Sequence, residues 1–86
     1  MPFLTGLFRR VATRDQFVID LIEALKLRSF NVKSYNHKEY ALHVEHSAIG
    51  PSIVGLNNLF LIWQSRGRDE RSSFCRNLSR AIGAAR

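Results

Sequence analysis

The stretch "GLNNLFLIWQSRGRDERSSF", residues 55–74, determines the fold class. It holds the most apolar run in the chain, preceded by two asparagines and followed at once by arginines. Leu56, Leu59, Phe60 and Trp63 are separated by 3, 1 and 3 positions, one face of a helix. A strand would instead set Asn57 beside Leu59, Leu61 and Trp63, a less clean apolar face. The spacing therefore predicts a helix over 56–64. Asn57 reads as its N-cap, accepting from first-turn amides, with Asn58 in the tolerant first turn. A buried Asn bonded to a neighbouring loop, or a binding contact, is the other reading. Gly67 suits a left-handed C-terminal position, and arginines complement the negative pole of a helix end. Asp69 then reads as the cap of a last helix, with Phe74, Leu78, Ala81 and Ile82 inward and Arg76 and Arg80 outward. Fraying is expected over 83–86.

Nearer the amino terminus, Thr13 and Gln16 form a capping-box pattern. Phe17, Val18, Leu21, Ile22 and Leu25 follow at helical spacing, predicting a helix over 14–28. Phe30 and Val32, then Tyr40, Leu42 and Val44, alternate with polar neighbours, the pattern of two half-buried strands. Tyr35, Asn36, His37 and Lys38 supply turn chemistry between them. Gly50 and Pro51 punctuate, and Ser52, Ile53 and Val54 make a short third strand. The expected fold is α+β: a small antiparallel three-stranded sheet with helices packed on one face, in the order α-β-β-β-α-α.

"RRVATRDQFVIDLIEALK", the strands, and "LNNLFLIWQS" leading to "RDER" resemble the amino-terminal region of the YtpQ-like family of uncharacterised bacterial proteins. Leu56, Asn58, Leu59 and Phe60 match that family's Leu-x-Asn-Leu segment and its following aromatic position, and Arg71 stands where an arginine recurs. Trp63 departs from it, since tyrosine is the expected residue there, and the family continues into a larger domain. The resemblance covers nearly the whole chain. It implies a fold and a cytosolic bacterial setting, and no chemistry.

Eighty-six residues suit one small domain over 1–86. Its core is modest, because a chain of this length buries only about 60–65% of its unfolded surface. The single cysteine, Cys75, excludes an intrachain disulfide and points to a reducing, cytoplasmic compartment. No apolar run approaches the ~18 residues of a membrane span. Residues 1–12 read as an amphipathic segment whose Phe3, Leu4, Leu7 and Phe8 pack on the domain. An organelle transit peptide is the alternative, since three arginines and no acid stand in residues 1–14.

Catalytic chemistry is thin. His43 and His46 are oddly spaced and point to opposite strand faces. His43 and Glu45 alone fall short of a zinc ligand set, and His37 sits in a turn. Cys75 could be activated by its arginine-rich helix, but a core thiol fits better. Glycines are scattered, with no phosphate-binding loop, and acids are few. No enzyme activity, metal, cofactor or small-molecule substrate is expected.

Two kinds of contact remain. Phe3, Leu7, Phe8, Leu61, Ile62 and Trp63 are surplus apolar residues, which suggests a protein partner or self-association. The alternative is nucleic acid. The net charge of +6 concentrates at both ends, in Arg9, Arg10, Arg66, Arg68, Arg76 and Arg80, and Tyr35 and Tyr40 interleave with Lys33, Lys38 and His37 at the hairpin.

Overall fold

Thr13 starts the first helix as the spacing predicts. Its Oγ1 accepts from the Gln16 amide at 3.0 Å, while the Gln16 side chain turns forward to donate to Asp20 Oδ1. A computed structural model describes residues 13–84, with α1 (Arg14–Leu27), β1 (Asn31–Asn36), β2 (Ala41–His46), β3 (Gly50–Gly55), α2 (Asn57–Ser65) and α3 (Arg68–Ala84). The strands form one antiparallel sheet in the order β1-β2-β3, so the α-β-β-β-α-α order and the α+β class hold. Phe17, Val18, Leu21 and Leu25 of α1 pack with Leu42, Val44 and Val54 on one face of that sheet. The other face carries Ser34, His43 and Ile53 in one exposed cross-strand row.

β1 contains an irregularity that the alternation hides. Val32 pairs with Val44 but Ser34 pairs with His43, so Lys33 is an extra residue, a β-bulge. Beyond it the alternation slips by one. Tyr35, paired with Leu42, therefore joins Val32 on the inner face although their spacing is odd. β1 also runs on through Asn36, whose Oδ1 accepts from the amides of Lys38 and Glu39, both at 3.1 Å. The turn is thus later than the sequence suggests, and Tyr40 lies in it rather than in β2. β3 is longer than expected, with Gly50 at a φ of 93° where it enters the strand.

Tyr40 takes a φ of 52°, a left-handed conformation uncommon for a bulky residue. Its surroundings hold it there. The ring is 1% exposed, the hydroxyl donates to the Arg14 carbonyl at 2.9 Å, and the Arg14 guanidinium lies 4.0 Å from the ring centre. Its own carbonyl accepts from the Leu56 amide at 2.9 Å, which fixes where α2 begins.

α1 closes with a Schellman motif. The Ser29 amide donates to the Lys26 carbonyl and the Phe30 amide to the Leu25 carbonyl, with Ser29 at a φ of 68°. Phe30 and Leu25 are both buried, the apolar contact that accompanies such an ending.

The other helix ends differ in detail from the sequence reading. Leu56, fully buried, occupies the N-cap position of α2 without a side-chain cap, and Asn57 is the first helical residue. A core side chain has displaced the better cap. Gly67 has no positive φ; it precedes α3, and its amide donates to Glu70 Oε1 at 3.4 Å. Asp69 therefore sits inside the first turn of α3, where its charge complements the positive pole, and does not cap it. The inward face of α3 centres on Cys75 and Ser79, with Phe74, Leu78 and Ile82 on its flanks and Ala81 exposed. Small residues at that centre let α3 lie close on α1. The helix continues through Gly83 to Ala84 instead of fraying, and Gly83 lies over Phe30 and Ile49.

Ser29→Gly is expected to stabilise the domain by about 0.5 kcal/mol, since glycine removes the Cβ penalty but adds unfolded-state freedom. Ser29→Val should destabilise by at least ~1 kcal/mol, as a β-branched residue resists positive φ. Urea midpoints at unchanged slope test both. Tyr40→Phe removes only the hydroxyl and should lower stability by about 1 kcal/mol, roughly 4–8 °C in melting temperature. An unchanged melting temperature would show that the bond to Arg14 contributes nothing.

Candidate functional site

α2 has an apolar character all round, and the two sides have different fates. Trp63 is 1% exposed and packs on Phe17, ring centres 5.4 Å apart, and on Phe60 at 6.2 Å. Phe17 also meets Phe60 and Phe74 at 6.3 and 6.5 Å. Trp63 therefore belongs to the core and leaves the set of surface contacts proposed from sequence. Its Nε1 is buried with no hydrogen-bond partner among the described residues. Leu61 is 60% and Ile62 42% exposed, and with Asn58 and Ser65 they share the outward side at spacings of three and four. Phe3, Leu7 and Phe8 lie outside the described residues.

The arginines that follow α2 are explained by Arg71. Its Nε donates to the Trp63 carbonyl at 3.3 Å and a terminal nitrogen donates to the Gln64 carbonyl at 3.0 Å. Its guanidinium lies 4.6 Å from the indole centre. One cation thus bonds two of the last carbonyls of α2, faces its negative pole and joins α2 to α3.

Tertiary context sorts the arginines proposed for nucleic acid. Arg9 and Arg10 lie outside the described residues. Arg66 lies 5.8 Å from the Phe74 ring and shares a surface depression with Glu70. Arg76 donates to Ser73 Oγ and shares a cleft with Asp20 and Glu23 of α1, which offset its charge. Arg68 is exposed at the start of α3. Arg80 lines a groove with Arg28 and His46 that no carboxylate enters among the described residues. Arg28 is the residue that charge counting passed over, because it sits in the neutral middle of the chain. Its place just after α1 was the available signal.

Tyr40, being buried, offers no stacking face for a base, whereas Tyr35 is partly exposed and meets Tyr40 edge-on at 6.4 Å. Burial raises the Tyr40 phenol above its ordinary value, opposed by the Arg14 contact. Lys33 pairs with Glu45 at 3.3 Å, both well exposed, a contact of little energetic weight. His46 packs edge-on against Phe30 at 5.0 Å, and its Nδ1 accepts from the Ala48 amide at 3.0 Å. No group of three or more His, Cys, Asp or Glu could hold a metal ion among the described residues. No helix there is long and apolar enough to cross a membrane.

Cys75 is buried between α1 and α3. Burial, and then the Asp20 charge, push its thiol up from 9.0 to about 12. This opposes the activation that an arginine-rich helix could have supplied. No family model matches the chain, and no curated protein or solved structure matches it either.

Native Cys75 should react with iodoacetamide at pH 8 at least about a hundredfold more slowly than in the urea-unfolded chain, since both thiolate fraction and access are suppressed. The same shift sets a pH dependence. The folded state holds the proton to higher pH, so the unfolded chain releases it first. Stability should then fall as pH rises from 9.0 towards about 12. Rapid labelling of the native protein would overturn the assignment of Cys75 as a structural thiol.

Proposed function

We propose that this is a non-catalytic domain that works by protein contact, and that its partner is a second copy of itself meeting it through the outward side of α2. The observation that carries this reading is the adjacent exposure of Leu61 and Ile62 on a helix whose other side is locked into the core. Residues 57–65 contain no charged side chain, in a chain of net charge +6. Two such chains repel over most of their surface and least where α2 faces α2. Asn58 and Ser65 flank the apolar pair, so a two-fold arrangement sets polar groups opposite polar groups at its ends.

Strand pairing is the competing route to association, and both sheet edges discourage it. β1 carries the bulge and the charge of Lys33, and β3 carries Pro51, which has no amide to donate. Leu61 and Ile62 alone fall well short of the ~800 Å² per partner of a standard stable interface, so the dimer is weak, in the micromolar range. The YtpQ-like resemblance carries no activity, and the reading rests on this surface. A cytoplasmic setting accords with the single, unactivated cysteine.

Sedimentation equilibrium at micromolar concentrations is expected to show reversible dimerisation. Leu61→Lys should weaken it by roughly thirtyfold, the ~2 kcal/mol of a central interface side chain, with folding intact by circular dichroism. A monomer at all concentrations, or a dimer indifferent to Leu61→Lys, would remove the proposal.

A further inference from the structure

A groove of about 510 Å³ opens at the end of the fold away from α2, between the close of α1, the β2–β3 turn and the last turns of α3. Its floor is apolar. Phe30 is buried there, with Ile49 and Gly83 beside it. Its rim is cationic, with Arg28 from the end of α1 and Arg80 from α3. His46 adds a donor. Because Nδ1 accepts from the Ala48 amide, the proton of the neutral ring sits on Nε2. Three donors on three elements thus meet over an apolar floor, with no Asp or Glu among the described residues that line it.

The helix poles oppose an anion here, and their size decides the question. Both α1 and α3 end at this groove, each contributing roughly half a negative charge within its last turn. The Leu25 and Lys26 carbonyls near the end of α1 are also occupied by the amides of Arg28, Ser29 and Phe30. Two full guanidinium charges outweigh the remainder, so the site stays positive. The backbone beside Arg28 is set by the Schellman closure, and Arg80 stands on a continuous helix, so both cations are carried by rigid elements.

We infer that this groove binds a phosphate group carried on a flat, partly apolar body, in short a nucleotide. Guanidinium groups match phosphate with paired hydrogen bonds, and His46 can donate a further one. The volume lies within the ~300–1,000 Å³ range of small-molecule sites and is far larger than a bare anion needs. Phe30 and Ile49 give the body of the ligand an apolar surface to cover. A free mononucleotide and one nucleotide of a single strand share this recognising chemistry.

The test uses the full chain in amide NMR titrations at low salt with three probes: adenosine monophosphate, a short oligothymidylate, and inorganic phosphate. Shifts are expected to concentrate at Ser29, His46 and Gly83. Arg28→Gln with Arg80→Gln should weaken nucleotide binding by about a hundredfold, roughly tenfold per lost charged contact, whereas Arg66→Gln with Arg68→Gln should change it less than about twofold. Inorganic phosphate should bind at least about tenfold more weakly than adenosine monophosphate, because it leaves the floor uncovered. A strand that binds more tightly than the mononucleotide assigns the site to nucleic acid, and the reverse assigns it to a free nucleotide. Absence of shifts at the groove with every probe, equal losses in the two double variants, or equal binding of inorganic phosphate and mononucleotide would overturn the proposal.

Discussion

Tyr40 ties together segments that would otherwise meet only through their side chains. Its hydroxyl holds the first carbonyl of α1, its ring lies beneath Arg14 and against Phe60, and its carbonyl receives the amide of Leu56. The start of α1, the hairpin turn and the start of α2 are therefore set by one residue. That residue adopts a left-handed backbone, which costs on the order of 1–2 kcal/mol for an L-amino acid. Burial of a full aromatic ring, worth about 1.5–3 kcal/mol, offsets the strain. The same trade recurs at Ser29, where a left-handed position lets Phe30 turn back onto Leu25. Two strained residues thus set the directions in which the chain leaves α1 and enters α2.

Much of this architecture is legible in the residues. Thr13 caps α1 as its spacing implies, and the apolar stripe from Phe17 to Leu25 is buried. Leu56, Leu59, Phe60 and Trp63 turn inward on a helix, and the three strands appear in the expected order. What escaped is what depends on contacts distant in sequence. The bulge at Lys33 leaves no mark in the polar and apolar alternation, yet it decides that Tyr35 faces inward. Asn57 is the better cap by chemistry, but Leu56 holds the position because the core takes its side chain and Tyr40 takes its amide. Cys75 and Ser79 lie at the centre of the inward face of α3 because close packing selects small residues there, a preference that hydrophobicity does not reveal.

The surface is less legible in the sequence than the core, for a physical reason. Leu61, Ile62 and Trp63 are consecutive and similarly apolar; helical spacing sets Trp63 with Leu59 and Phe60, and packing on Phe17 makes that side the buried one and leaves the other two exposed. Arginines look alike in sequence. Their electrostatic meaning depends on what the fold sets beside them: an indole and two carbonyls for Arg71, carboxylates for Arg76, and a second guanidinium for Arg80. Net charge identified the basic ends, whereas Arg28 acquires its interest only when α1 and α3 finish side by side.

The enclosed indole also makes the molecule its own optical gauge. Trp63 is the sole tryptophan, shielded from water and overlain by a guanidinium at the seam of two helices. Its emission reports on the place where α2 meets α1 and α3, without a label and without interference from a second fluorophore of its kind. Loosening of α2 from the other two helices can therefore be followed by colour and intensity separately from melting of the hairpin, which distinguishes local opening from collapse of the whole.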